Sequence, residues 1–130
     1  MKEQENVGAI TRIYEAFGRG DVQAIVGQLT DDVRWESRLE SVVPWSGKYT
    51  KATVHKFFAA IFQSVDVTAF TPQEFVAQGD TVVSIGEFGC KVRATGKASH
   101  TRWAFVWKLR DGKVYSYEQF HDPGLSAAFQ

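Results

Sequence analysis

Residues 100–121 read HTRWAFVWKLRDGKVYSYEQFH, and this stretch holds two strands joined by a tight turn. Asp111-Gly112 is a hairpin signal, because a two-residue turn demands positive φ and these residue types tolerate it. Before the turn, Trp103, Phe105 and Trp107 fall on one face of a strand running from His100 to Arg110. After it, Lys113 to His121 is a second strand. If Gln119 points inward, so do Tyr117 and His121, while Glu118 and Asp122 point away. Working upstream, residues 81–93 form a long strand in which Gly86 and Gly89 predict a bend or bulge. Ala94-Thr95-Gly96-Lys97 is the turn after it. Gln78-Gly79-Asp80 is the turn before it, preceded by a strand over 67–78.

Before residue 67 the period is helical. Val7, Ile10, Ile13, Tyr14 and Phe17 predict an amphipathic helix over 4–17, stopped by Gly18 and Gly20. Asp21 caps a second helix carrying Val22, Ile25, Val26 and Leu29, which Thr30, Asp31 and Asp32 end. Val33, Trp35 and Ser37 alternate with Arg34, Glu36 and Arg38, as in a short strand. Residues 39–49 read as a loop around Pro44 and Gly47. Val54, Phe57, Phe58, Ile61 and Phe62 mark a third helix. After the last strand, Asp122 caps a helical turn with Pro123 at its first position. The expected class is α+β, with residues 1–130 as one domain. A curved antiparallel sheet packs on three helices and opens at one end into a cone-shaped pocket.

The chain has 130 residues, enough to bury a sizeable core without metal or disulfide support. Fifteen Lys and Arg balance fifteen Asp and Glu, and no basic cluster lies on one segment, so nucleic acid is not an expected partner. The N-terminal MKEQENVGAI is too polar for a signal peptide, and no apolar run nears the roughly 20 residues that span a bilayer. One cysteine, Cys90, rules out an internal disulfide. A cytoplasmic protein with no membrane partner is the expectation. His55, His100 and His121 are too scattered for a metal-site spacing, and no phosphate-cradling loop or nucleophile elbow is present. No metal and no cofactor are expected.

Six pieces, in order, carry a resemblance. They are Tyr14-Glu15-Ala16-Phe17 with Gly20-Asp21, Leu29-Thr30-Asp31-Asp32-Val33-Arg34-Trp35, and Pro44-Trp45-Ser46-Gly47-Lys48-Tyr49. The others are Glu74-Phe75-Val76-Ala77-Gln78-Gly79-Asp80, Asp111-Gly112-Lys113-Val114 and Gln119-Phe120-His121-Asp122. Together the chain resembles, over nearly its whole length, the SnoaL-like branch of the nuclear transport factor 2-like superfamily. That group includes ketosteroid isomerases, limonene epoxide hydrolases, scytalone dehydratases and polyketide cyclases. The resemblance implies a cone-shaped, cystatin-like roll, a pocket for a small, largely apolar molecule, and a homodimer. It is specific for a fold and not for a reaction. The isomerase base, acid and oxyanion tyrosine fall near Ser37, Phe105 and Ile13. The epoxide hydrolase Arg and two Asp fall near Gly86, Phe88 and Gln119, and the cyclase acid also falls at Gln119. None of those residues can take over the role.

Two function classes follow. One is cofactor-free isomerisation, cyclisation, dehydration or water addition. There Gln119 and Tyr14 orient a carbonyl or hydroxyl and His121 is the one plausible proton carrier. The other is a non-catalytic ligand carrier or assembly module, which the missing carboxylates favour. The expected wall is Phe17, Trp35, Ser37, Trp45, Phe57, Phe88, Trp103, Phe105 and Tyr117. For Trp35, Trp103 and Phe105 the plain alternative is core packing. For Gln119 it is a structural amide satisfied by backbone. His121 lies at a strand end, where a solvated or capping role is the favoured reading, and Glu87 reads as an outer-face ion pair unless a bulge near Gly86 turns it inward.

Overall fold

The computed structural model describes residues 2–130. The elements in chain order are α1 (Lys2–Gly18), α2 (Val22–Val26), β1 (Leu29–Ser37), β2 (Gly47–Tyr49) and α3 (Val54–Ser64). They continue with β3 (Val65–Gln78), β4 (Thr81–Val92), β5 (Ala98–Arg110), β6 (Lys113–His121) and α4 (Gly124–Ala127). The six strands form one sheet in the order β2-β1-β6-β5-β4-β3. The fold is α+β, as the periodicity predicts. Pairing is antiparallel throughout except between β1 and β6, which run parallel. The chain enters β1 from the helical layer, and only much later returns alongside it as β6.

Two local expectations change. Thr30, Asp31 and Asp32 lie in β1 and do not end a helix, because α2 stops at Val26 with Gly27 as its C-cap. Leu29, fully buried, takes strand geometry beside Val114 instead of a place on the helix face. The loop over 39–49 contains β2, a three-residue strand pairing Trp35 with Tyr49, too short to show a period.

The bend lies where the glycines predict it, with the extra residues on the facing strand. The β3–β4 register shifts between Val67 and Ala69 and again between Pro72 and Glu74, opposite Gly89 and Gly86. A Cβ on Gly86 would stand 2.4 Å from the Thr71 carbonyl oxygen and 2.5 Å from Trp103 Cζ2. Only glycine lets the bulged strand and the indole approach that closely. The β5–β6 turn puts Asp111 at φ 53° and Gly112 at φ 79°, the double positive φ of a type I′ hairpin. The bent sheet wraps α1 and α3, whose Ala9, Ile10, Ile13, Ala16, Phe57, Phe58 and Ile61 are buried against it. Fully burying one such large apolar side chain stabilises by about 1.5–3 kcal/mol.

Candidate functional site

Strand parity sets the inner face. Trp103, Phe105 and Trp107 on β5, Tyr117 and Gln119 on β6, and Trp35 and Ser37 on β1 are all buried. Between this face and the helices lies a cavity of about 50 Å³. Ile13, Tyr14 and Phe17 of α1, Ile25 of α2, and Phe57, Phe58 and Ile61 of α3 form one wall. The sheet supplies Trp35, Phe70, Phe88, Phe105, Trp107, Tyr117, Gln119 and His121, and the loop before β2 supplies Trp45. Trp45 packs edge-on against Phe88 and Phe129.

The polar groups are few and neutral. Ser37 Oγ donates to Gln119 Oε1 at 2.7 Å, and Gln119 Nε2 donates to the Tyr117 hydroxyl at 3.0 Å. The Gln119 amide is therefore held by side chains, not by backbone. Trp107 Nε1 donates to the Tyr14 hydroxyl at 3.0 Å, and that hydroxyl is also hydrogen-bonded to the Ser84 hydroxyl. Burial raises both phenols above their ordinary pKa, Tyr117 strongly, so both stay protonated at neutral pH. Burial pulls His121 down to about 4, so its imidazole is neutral. Its Nδ1 is buried and without a partner. Trp35 Nε1 is buried and unpartnered too.

Of the catalytic candidates, Gln119, His121 and Tyr14 all border the cavity. The solvated reading of His121 is corrected. Although it ends a strand, it is half-buried, with Phe88 and Phe105 packed against its ring at 5.7 and 5.8 Å. It stands at the rim, where it also borders two surface hollows, one beside α4 and one beside Phe120. Among the expected wall residues, Phe17, Trp35, Trp45, Phe57, Phe88, Phe105 and Tyr117 border the cavity. Trp103 does not. It lies over Gly86, and both Phe70, at 5.2 Å, and Phe105, at 4.0 Å, pack on its ring. Ser37 also stands behind the wall, with Gln119 in front of it. Glu87 is on the outer face and meets His100 at 3.0 Å.

Phe70, Phe58, Ile61 and Ser84 were not legible as site residues. Phe70 lies between the two β3 bulges, where alternation gives no face. Ser84 could be found only through its parity with Val82 on β4. Burial pushes the Cys90 thiol up to about 11, which makes it a poor nucleophile. Among the described residues, no three His, Cys, Asp or Glu side chains are grouped to hold a metal ion. No helix among them is long and apolar enough to cross a membrane.

A bent sheet over helices, closed on an aromatic cavity, defines the nuclear transport factor 2-like fold. The family described as SnoaL-like domain matches residues 10–117, and the chain belongs to that family. No protein of curated function matches significantly. A nuclear transport factor 2-like protein from Burkholderia xenovorans is 27% identical over 98% of both chains, with a TM-score of 0.88. A second, from Burkholderia thailandensis, is 26% identical over 96% of this chain and 97% of its own, with a TM-score of 0.86. TerC, co-crystallised with polyporic acid, is 25% identical over 91% of this chain and 92% of its own, with a TM-score of 0.77.

Proposed function

We propose that this protein binds a small, largely apolar ring compound in the cavity and orients it through neutral hydrogen bonds. One observation carries the reading: every polar side chain on the wall is neutral at pH 7 and the rest of the wall is apolar. A charged ligand would lose its hydration there with no counter-charge to replace it. An apolar ring gains from burial, and the aromatic faces add edge and stacking contacts. TerC, with its polyporic acid, supports a ring compound as the class. The test is titration of the protein with 9-fluorenone, an uncharged flat ring compound, following tryptophan fluorescence. Saturable quenching that Phe105→Ala weakens supports the reading, and no binding at the solubility limit rejects it.

A second reading, proton transfer on the bound molecule, rests on the unpartnered Nδ1 of His121. A neutral imidazole at the rim is the one base facing the cavity. It is a weak one, because a low pKa lowers its driving force for taking a proton. The binding role is therefore preferred, with catalysis limited to what His121 can do. For assembly, a homodimer through the outer face of the sheet belongs to the same proposal. Val76, Val83 and Val106 lie in one cross-strand row, and Ile85, Ala104 and Phe120 in the next. Phe120 is 40% exposed and Val76 is 59% exposed. A second copy would cover this strip.

A further inference from the structure

We infer that the cavity selects a ligand carrying a carbonyl-type acceptor oxygen, and that Tyr117, polarised by a chain from Ser37 through Gln119, is the donor that reads it. The inference rests on the binding reading above and adds the chemistry of the ligand's polar end.

The chain has a direction. Ser37 gives its proton to Gln119 Oε1, and Gln119 gives an N–H to the Tyr117 oxygen. Among the described residues, the Tyr117 proton itself meets no acceptor, although Tyr117 is only 2% exposed. A buried hydroxyl with an idle proton is costly, and such groups in native proteins usually have a partner. Tyr117 stands on the cavity wall, so the ligand is the group that can supply that partner. An N–H donated to a phenol oxygen also makes its O–H a better donor, because successive hydrogen bonds polarise one another in a low dielectric.

A second observation agrees. Trp35, whose ring stacks on Tyr117 with centroids 3.9 Å apart, also carries an unpartnered N–H and also lines the cavity. An indole N–H can only donate. Two neighbouring wall residues thus offer hydrogens and want oxygens. The raised pKa of Tyr117 keeps its proton in place at neutral pH. A ketone or quinone oxygen on a flat apolar skeleton fits this pair, whereas an amine meets two donors and a carboxylate meets no cation.

The experiment compares fluorene with 9-fluorenone, the same ring system without and with a carbonyl. Equilibrium dialysis measures both affinities for the wild type and for Tyr117→Phe, and infrared spectra follow the carbonyl of bound fluorenone. The wild type is expected to bind fluorenone roughly two- to ten-fold tighter than fluorene, the worth of one neutral hydrogen bond. Its carbonyl stretch is expected at a lower frequency than in cyclohexane. Tyr117→Phe is expected to bring the two affinities together and to remove the shift. Should Tyr117→Phe not fold, the wild-type spectrum still decides, together with a smaller shift in Ser37→Ala. Equal affinities with an unshifted carbonyl overturn the inference and leave the binding reading standing. They would mean that the Gln119 amide is turned the other way and takes the Tyr117 proton. If neither compound binds, the binding reading fails and this inference with it.

Discussion

Trp35 and Tyr117 are register partners across the parallel β1–β6 pair, and their rings stack at 3.9 Å with 27° between the planes. This contact joins the first strand to the last and forms the centre of the wall. Trp35 is also edge-on to Phe57, Phe58 and Trp107. Replacing it with Ala is expected to cost about 3–5 kcal/mol, the range for emptying a buried aromatic site. Urea unfolding checks this, and a loss under 1 kcal/mol would mean the ring is not part of the core.

Gly86→Ala is expected to destabilise by about 1–3 kcal/mol, the usual cost of overpacking. The added methyl would meet backbone at the Thr71 carbonyl, 2.4 Å away, which cannot swing aside as a side-chain tip could. Trp103 must also shift, which disturbs its stack on Phe105. Near-ultraviolet circular dichroism should report that change together with a lower urea midpoint. An unchanged spectrum and midpoint would refute the close approach.

Stability is expected to fall as pH drops from about 6.5 towards 4. In the unfolded chain His121 takes up a proton near its ordinary pKa, while in the folded protein burial delays this to about 4. Between those values the unfolded state binds more protons, so stability rises with pH and the full contribution is present above about 6.5. The size is on the order of 3 kcal/mol at most. His121→Phe should flatten this part of the curve. An equally steep fall in the variant would assign the slope to other groups.

Sedimentation at tens of micromolar, a concentration at which mass action favours a modest dimer, is expected to give a dimer. Val106→Glu, placed in the middle of the outer strip between Val83 and Glu118, should give a folded monomer. A wild-type monomer at that concentration would refute pairing through this face.

A 5-ene-3-ketosteroid is expected to turn over no faster with the wild type than with a Gln119→Ala, His121→Ala double variant. A positioned base is worth roughly 10²- to 10⁴-fold, and each oxyanion donor about 10²- to 10³-fold. The places matching the isomerase groups hold Ser37, Phe105 and Ile13, of which Phe105 and Ile13 are hydrocarbon and Ser37 is engaged with Gln119. Robust turnover abolished by His121→Ala alone would overturn this expectation and promote the catalytic reading.

The inward faces of β5 and β6 were legible in the sequence by themselves. Side chains alternate strictly along a strand, so Trp103, Phe105 and Trp107, then Tyr117, Gln119 and His121, sort into one set with no knowledge of the neighbours. The helical stripe of α1 and the Asp111-Gly112 turn are local in the same way. The tertiary structure alone decided which members of that set meet the cavity. Trp103 was withdrawn and Phe70 brought in because two bulges on β3 reset its faces opposite Gly89 and Gly86. Tyr14 found Ser84 and Trp107 across 70 and 93 residues of chain, contacts that no local pattern encodes. His121 is half-buried because Phe88 and Phe105, on other strands, pack against its ring. Periodicity follows from backbone geometry within one segment, whereas desolvation and hydrogen-bond partners depend on which segments pack together, and only the assembled fold sets that.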